Sequence, residues 1–127
     1  MATIVVVDDE SLITDVLAFL LGEAGHIVHV ARNGAEAFEL IHRLVPDLII
    51  TDYMMPVMSG FELAQAVKAN PVTACIPIIL ASAAQGASAR EHADLFFEIL
   101  DKPYSPPRLL QVIAGLFGEN SGTVDCI

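Results

Sequence analysis

At 127 residues the chain is long enough for one domain with a substantial core, and 54% of its residues are hydrophobic. Charged residues cut every apolar run short of the roughly 18–20 residues a membrane span needs, which excludes a transmembrane helix. A net charge of −10 argues against direct nucleic-acid binding, which needs a basic face to displace counterions; it suits a metal site or a basic partner, though solubility alone explains most of it.

The start, Met1-Ala2-Thr3, has no basic stretch and runs into an acidic pair, so no signal peptide is expected and the location is expected to be cytoplasmic. Cys75 and Cys126 form no spaced ligand motif and read as a reduced intracellular pair.

Thr3 to Val7 is a β-branched run, predicted as a buried strand ending in Asp8-Asp9-Glu10. Leu12, Ile13, Val16, Leu17, Leu20 and Leu21 then recur at helical spacing, with Gly22 and Gly25 closing the helix. Ile27 to Ala31 is a second strand, with His26 and His29 on opposite faces and so not a shared metal site. Asn33-Gly34-Ala35-Glu36 has the form of an N-cap with a reciprocating glutamate, and Ala37, Leu40, Ile41 and Leu44 give that helix its buried face.

Asp47 to Asp52 is the third strand, and Tyr53 to Ser59 a loop containing Met and Pro. Ser59-Gly60-Phe61-Glu62 repeats the capping pattern ahead of a helix that stops at Asn70-Pro71. Ile76 to Ser82 is a fourth strand with Pro77 near its start, and Ser88 to Glu91 opens a short helix. Phe96 to Leu100 is a fifth strand, followed by Asp101-Lys102-Pro103. Ser105-Pro106-Pro107 starts the last helix, which carries Leu109, Leu110, Ile113, Leu116 and Phe117 and ends at Gly118. Residues 119–127 form a short polar tail beyond a single domain at 1–118.

Five strands alternating with five helices predict an α/β, doubly wound parallel sheet of flavodoxin-like type. The common five-strand order, 2-1-3-4-5, sets strands 1 and 3 side by side at the switch point, where such sheets bind ligands. That order brings Asp8, Asp9 and Asp52 into one depression. Each pair of carboxylates at 4 Å costs about 1 kcal/mol in water and about 4 kcal/mol at an effective dielectric of 20. Either a proton or a cation must relieve them, and hard oxygen ligands without Cys or His favour Mg²⁺ over zinc. Singly, Ser82 reads as a loop serine and Lys102 as a surface lysine, but both come from further strand ends at the same edge.

With these residues in place, the chain resembles the receiver domain of two-component response regulators, of the chemotaxis single-domain type. The matching residues are Asp8-Asp9, Asp52, Met55-Pro56 with Met58-Ser59-Gly60, Ser82-Ala83 and Lys102-Pro103, over roughly residues 3 to 117. The resemblance implies a phosphoacceptor rather than an enzyme, with Asp52 taking a phosphoryl group from a sensor histidine kinase or phosphotransfer protein. It implies Mg²⁺ held by Asp9, Asp52 and the Met54 backbone carbonyl, with Asp8 acting mainly through water. Lys102 and the Ser82 hydroxyl would each meet a phosphoryl oxygen, and the Lys102–Pro103 bond matches one that is cis in the family. An output protein would dock on the fourth helix, fifth strand and fifth helix.

Two departures stand out. Ile99 occupies the position of an aromatic residue whose ring turns inward in family members, and Phe97 is the candidate substitute on the same strand face. Ser82 and Lys102 are also closer in sequence than usual, so the helix after Ser88 is expected to be short or mobile.

Other readings are a receiver piece of a larger regulator or hybrid kinase, or a degenerate scaffold. A flavin mononucleotide binder is disfavoured because Asp8-Asp9-Glu10 would repel phosphate. An Asp-nucleophile phosphatase usually has a second acid two residues on, where this chain has Met54.

Overall fold

The computed structural model describes residues 2–53, 58–82, 95–101 and 106–118, the side chains of residues 82, 101, 106 and 117 excepted. The elements are β1 (Thr3–Val7), α1 (Ser11–Glu23), β2 (Ile27–Ala31), α2 (Gly34–Leu44), β3 (Leu48–Asp52), α3 (Gly60–Ala69), β4 (Ile78–Ser82), β5 (Glu98–Asp101) and α4 (Pro106–Gly118). All pairings are parallel, in the order β2-β1-β3-β4-β5, as the alternating pattern predicts. Four helices stand among the described residues. The short helix expected to open at Ser88 to Glu91, and the tail at 119–127, lie outside them.

Alternation along each strand divides the apolar side chains between two cores. Val5, Val7, Ile49 and Leu80 pack with Ala37, Ile41, Leu63 and Val67 of α2 and α3. On the other face, Ile4, Val6, Leu48, Ile50 and Ile79 pack with Leu17 and Leu21 of α1 and with Leu109 and Ile113 of α4. Burial on both faces explains why these strands read as continuous apolar runs.

Strand starts differ from the sequence expectation at β3, which opens at Leu48 rather than Asp47, and at β4 and β5. Ile76 and Pro77 precede β4: proline has no N–H for the ladder, and its carbonyl instead accepts from Ile49 N at 3.1 Å. Phe96 and Phe97 precede β5, with Phe97 N donating to the Ile78 carbonyl at 2.8 Å.

In α1, Thr14, Leu17 and Leu21 are buried, while Leu12, Val16 and Phe19 are 78%, 52% and 67% exposed. The two sets lie on opposite sides at 100° per residue, so this helix carries apolar side chains on both sides and the sheet covers only one. Gly22 falls within the helix, and Gly25, with φ 97°, makes the turn after it.

The predicted caps form. Asn33 Oδ1 accepts from Glu36 N at 2.8 Å, and Glu36 Oε1 reaches back to Arg32 N at 3.2 Å, one residue earlier than a reciprocal box. At α3 the box is complete: Glu62 N donates to Ser59 Oγ at 3.2 Å and Ser59 N to Glu62 Oε1 at 2.9 Å. Downstream, half-buried Lys68 donates to the carbonyls of Ala74 and Ile76, both at 3.0 Å, and burial lowers its pKa.

The expectation of reduced cysteines is corrected at Cys75, which is disulfide-bonded. Spacing along a chain does not reveal which sulfurs meet in space, and the chain's other cysteine, Cys126, lies outside the described residues. No helix among the described residues is long and apolar enough to cross a membrane.

Replacing Ser59 by alanine removes one arm of the α3 box and is expected to lower stability by about 1 kcal/mol, read from the urea midpoint at unchanged slope.

Candidate functional site

The site lies at the carboxyl ends of β1 and β3. Val7 pairs with Thr51, so Asp8 and Asp52, each one residue further on, leave the sheet side by side. Carboxylate oxygens of Asp8, Asp9 and Asp52 all lie within 4.8 Å of one another, the one such acidic group among the described residues. Asp8 is 4% exposed, Asp52 half-buried and Asp9 exposed.

Backbone groups fix the two less exposed acids. Asp8 N donates to the Ala31 carbonyl at 3.1 Å, and Asp8 Oδ1 accepts from Glu10 N at 3.0 Å, which holds the turn into α1. Asp52 Oδ1 accepts from Tyr53 N at 3.0 Å. The Asp52 backbone carbonyl accepts from the Thr51 hydroxyl at 3.0 Å.

Two glycines let the chain close around this point. Gly60 N donates to the Tyr53 carbonyl at 2.9 Å, and a Cβ on Gly60 would overlap the Asp52 carbonyl oxygen. A Cβ on Gly34 would meet Met58 Cβ at 2.6 Å and the Met58 carbonyl oxygen at 2.8 Å. Both glycines are the first residues of capped helices, so N-cap, Gly and a Glu two residues on recur at α2 and α3. That repeat is the sequence signal for a close approach; the sequence reading took it as capping, with Gly60 also part of the family motif and Gly34 not. Thr51 left no such signal, being one more β-branched residue in a buried strand.

Three converging carboxylates with hard oxygen donors, one of them exposed to water, fit a divalent cation of Mg²⁺ type. Of the other sequence-predicted residues, Ser82 ends β4, its backbone in register with Asp101 of β5 at the same sheet edge. Its side chain, Met54 and Lys102 lie outside the described residues. Ile99 is partly buried against the core beneath α2 and α3. Phe97, the candidate substitute for an inward-turning ring, precedes β5 and is 49% exposed.

Converting Asp9 to asparagine removes one charge from the repelling group. In cation-free buffer with a chelator, the variant is expected to unfold at a higher temperature than the parent. Added Mg²⁺ should then raise the variant's midpoint less than the parent's.

The chain matches the family model of the response regulator receiver domain over residues 4–114. It is 38% identical over 112 residues to an uncharacterized 14.6 kDa protein of Leptolyngbya boryana, covering 87% of this chain and 86% of that one. It is 37% identical over 111 residues to the phosphate regulon transcriptional regulatory protein PhoB of Pseudomonas aeruginosa, covering 85% of this chain but 48% of that protein. Among solved structures, the chemotaxis response regulator CheY4 of Vibrio cholerae superposes with a TM-score of 0.83 at 30% identity, covering 91% of this chain and 98% of that one. Receiver domains accept a phosphoryl group in two-component signalling, generally with Mg²⁺ in an acidic pocket. They act with histidine kinases or phosphotransfer proteins and with output partners, as signalling domains rather than enzymes. The family match, the sheet order and the acidic pocket agree, and the chain belongs to the response regulator receiver domain family.

Proposed function

We propose that the chain accepts a phosphoryl group on Asp52 from a phosphohistidine of a sensor kinase or phosphotransfer protein and signals by changed protein–protein contacts. The convergence of Asp8, Asp9 and Asp52 at two adjacent strand ends carries this reading. An Asp52 carboxylate oxygen forms the new O–P bond as the N–P bond of the donor breaks. The Tyr53 N–H on Oδ1 orients the carboxylate before the donor arrives, and positioning of this kind is most of what phosphoryl transfer asks of a protein. Bound Mg²⁺ supplies charge neutralisation of the phosphoryl oxygens. Asp9, Asp52 and the Met54 carbonyl would hold it, with Asp8 acting through water. Lys102 and Ser82 are assigned the remaining phosphoryl oxygens.

The exposed side of α1 supports docking of a donor protein. Leu12, Val16 and Phe19 form an apolar stripe on the helix that begins two residues after Asp9. An output partner is assigned to the face carrying β5 and α4.

Acetyl phosphate with Mg²⁺ is expected to label the protein at one equivalent, and Asp52→Asn to abolish the label. Persistent labelling of that variant would overturn the assignment, and release of many equivalents from a phosphate ester would favour an Asp-nucleophile phosphatase. Phe19→Ala is expected to slow transfer from a phosphohistidine protein by about tenfold while leaving acetyl phosphate labelling unchanged.

A further inference from the structure

The peptide plane that joins Asp52 to Tyr53 holds the acidic side chain and is itself held by two uncharged residues. Its N–H, belonging to Tyr53, donates to Asp52 Oδ1 at 3.0 Å and also faces the Ala81 carbonyl at 3.0 Å. Its C=O, belonging to Asp52, accepts from the hydroxyl of fully buried Thr51 at 3.0 Å. A peptide unit is planar and stiff, so a rotation of the carbonyl turns the N–H through the same angle.

Gly60 restricts that rotation. A Cβ there would overlap the Asp52 carbonyl oxygen and lie 3.2 Å from its carbonyl carbon. It would also lie 3.0 Å from Cδ1 of Leu80, which is fully buried and packed within the core. The neighbour that must give way is therefore backbone rather than the far end of a flexible side chain.

We propose that Thr51 and Gly60 are positioning residues for the Asp52 carboxylate, acting through the Asp52–Tyr53 peptide plane. The inference rests on the reading of Asp52 as the phosphoryl acceptor. The Thr51 hydroxyl fixes the carbonyl, the absence of a side chain at Gly60 leaves it room, and the N–H on the same plane then meets Oδ1. Losing either one turns the plane, weakens the Oδ1 hydrogen bond and lets the carboxylate leave the line of attack. Neither residue belongs to the acidic group itself.

The test uses the whole chain with Mg²⁺ and acetyl phosphate, measuring the initial rate of labelling together with the Tyr53 amide proton shift. Thr51→Val keeps the shape and removes the hydroxyl. It is expected to label about fivefold more slowly, the equivalent of one ordinary hydrogen bond, with the Tyr53 amide moved upfield. Thr51→Ser restores the hydroxyl and should recover both the rate and the shift. Gly60→Ala should slow labelling by about tenfold or more; should that variant fail to fold, the Thr51 pair decides. A folded Thr51→Val protein that labels at the parent rate overturns the inference and leaves the acceptor reading standing. So does a Thr51→Ser protein that stays slow although its Tyr53 amide has returned. A parent protein that takes no label overturns the acceptor reading itself, and the inference with it.

Discussion

The adjacency of β1 and β3 is the constraint on which the rest of this structure depends. A parallel sheet sends every strand's carboxyl end to one edge, and the order β2-β1-β3-β4-β5 places the ends of β1 and β3 together. Asp8, Asp9 and Asp52 come from sequence positions far apart, yet their oxygens converge because those strands are hydrogen-bonded neighbours with Val7 opposite Thr51. Such a group is electrostatically costly in the absence of a cation. The sheet tolerates it because both of its faces are closed by apolar packing that does not depend on those charges.

The convergence is also shaped by groups without charge. Backbone N–H groups of Glu10 and Tyr53 hold one oxygen each of Asp8 and Asp52. Gly34 and Gly60 allow the starts of α2 and α3 to close on the connection after β3, where a single methyl group would collide with backbone or with Met58. The N-caps and these close approaches are one arrangement: the same short motif starts each helix, and its glycine brings α2 against Met58 and α3 against the Asp52 carbonyl.

Away from the site the chain departs from a simple division into apolar interior and polar surface. Helix α1 buries one apolar side and exposes another beside the acidic pocket. At the far edge, Ile99 packs against the core while Phe97 stays half-exposed outside β5. Position 99 therefore carries an aliphatic side chain, and not a buried ring, where β5 meets the core.

The sequence by itself determined the strand order, four of the five expected helices, both N-caps and the identity of the acidic residues. Those depend on local periodicity, on β-branched runs and on residue types whose chemistry is visible singly. Only the tertiary structure decided which side of α1 meets the sheet, because Leu12 and Val16 are as apolar as Leu17 and Leu21 and burial depends on where the sheet lies. It likewise decided where β4 and β5 begin, that Cys75 is disulfide-bonded, and that Thr51 and Gly60 bear on the Asp52 carbonyl. Each of these is a distance between groups remote in sequence or a choice among equally apolar positions. Local propensity carries no information about either.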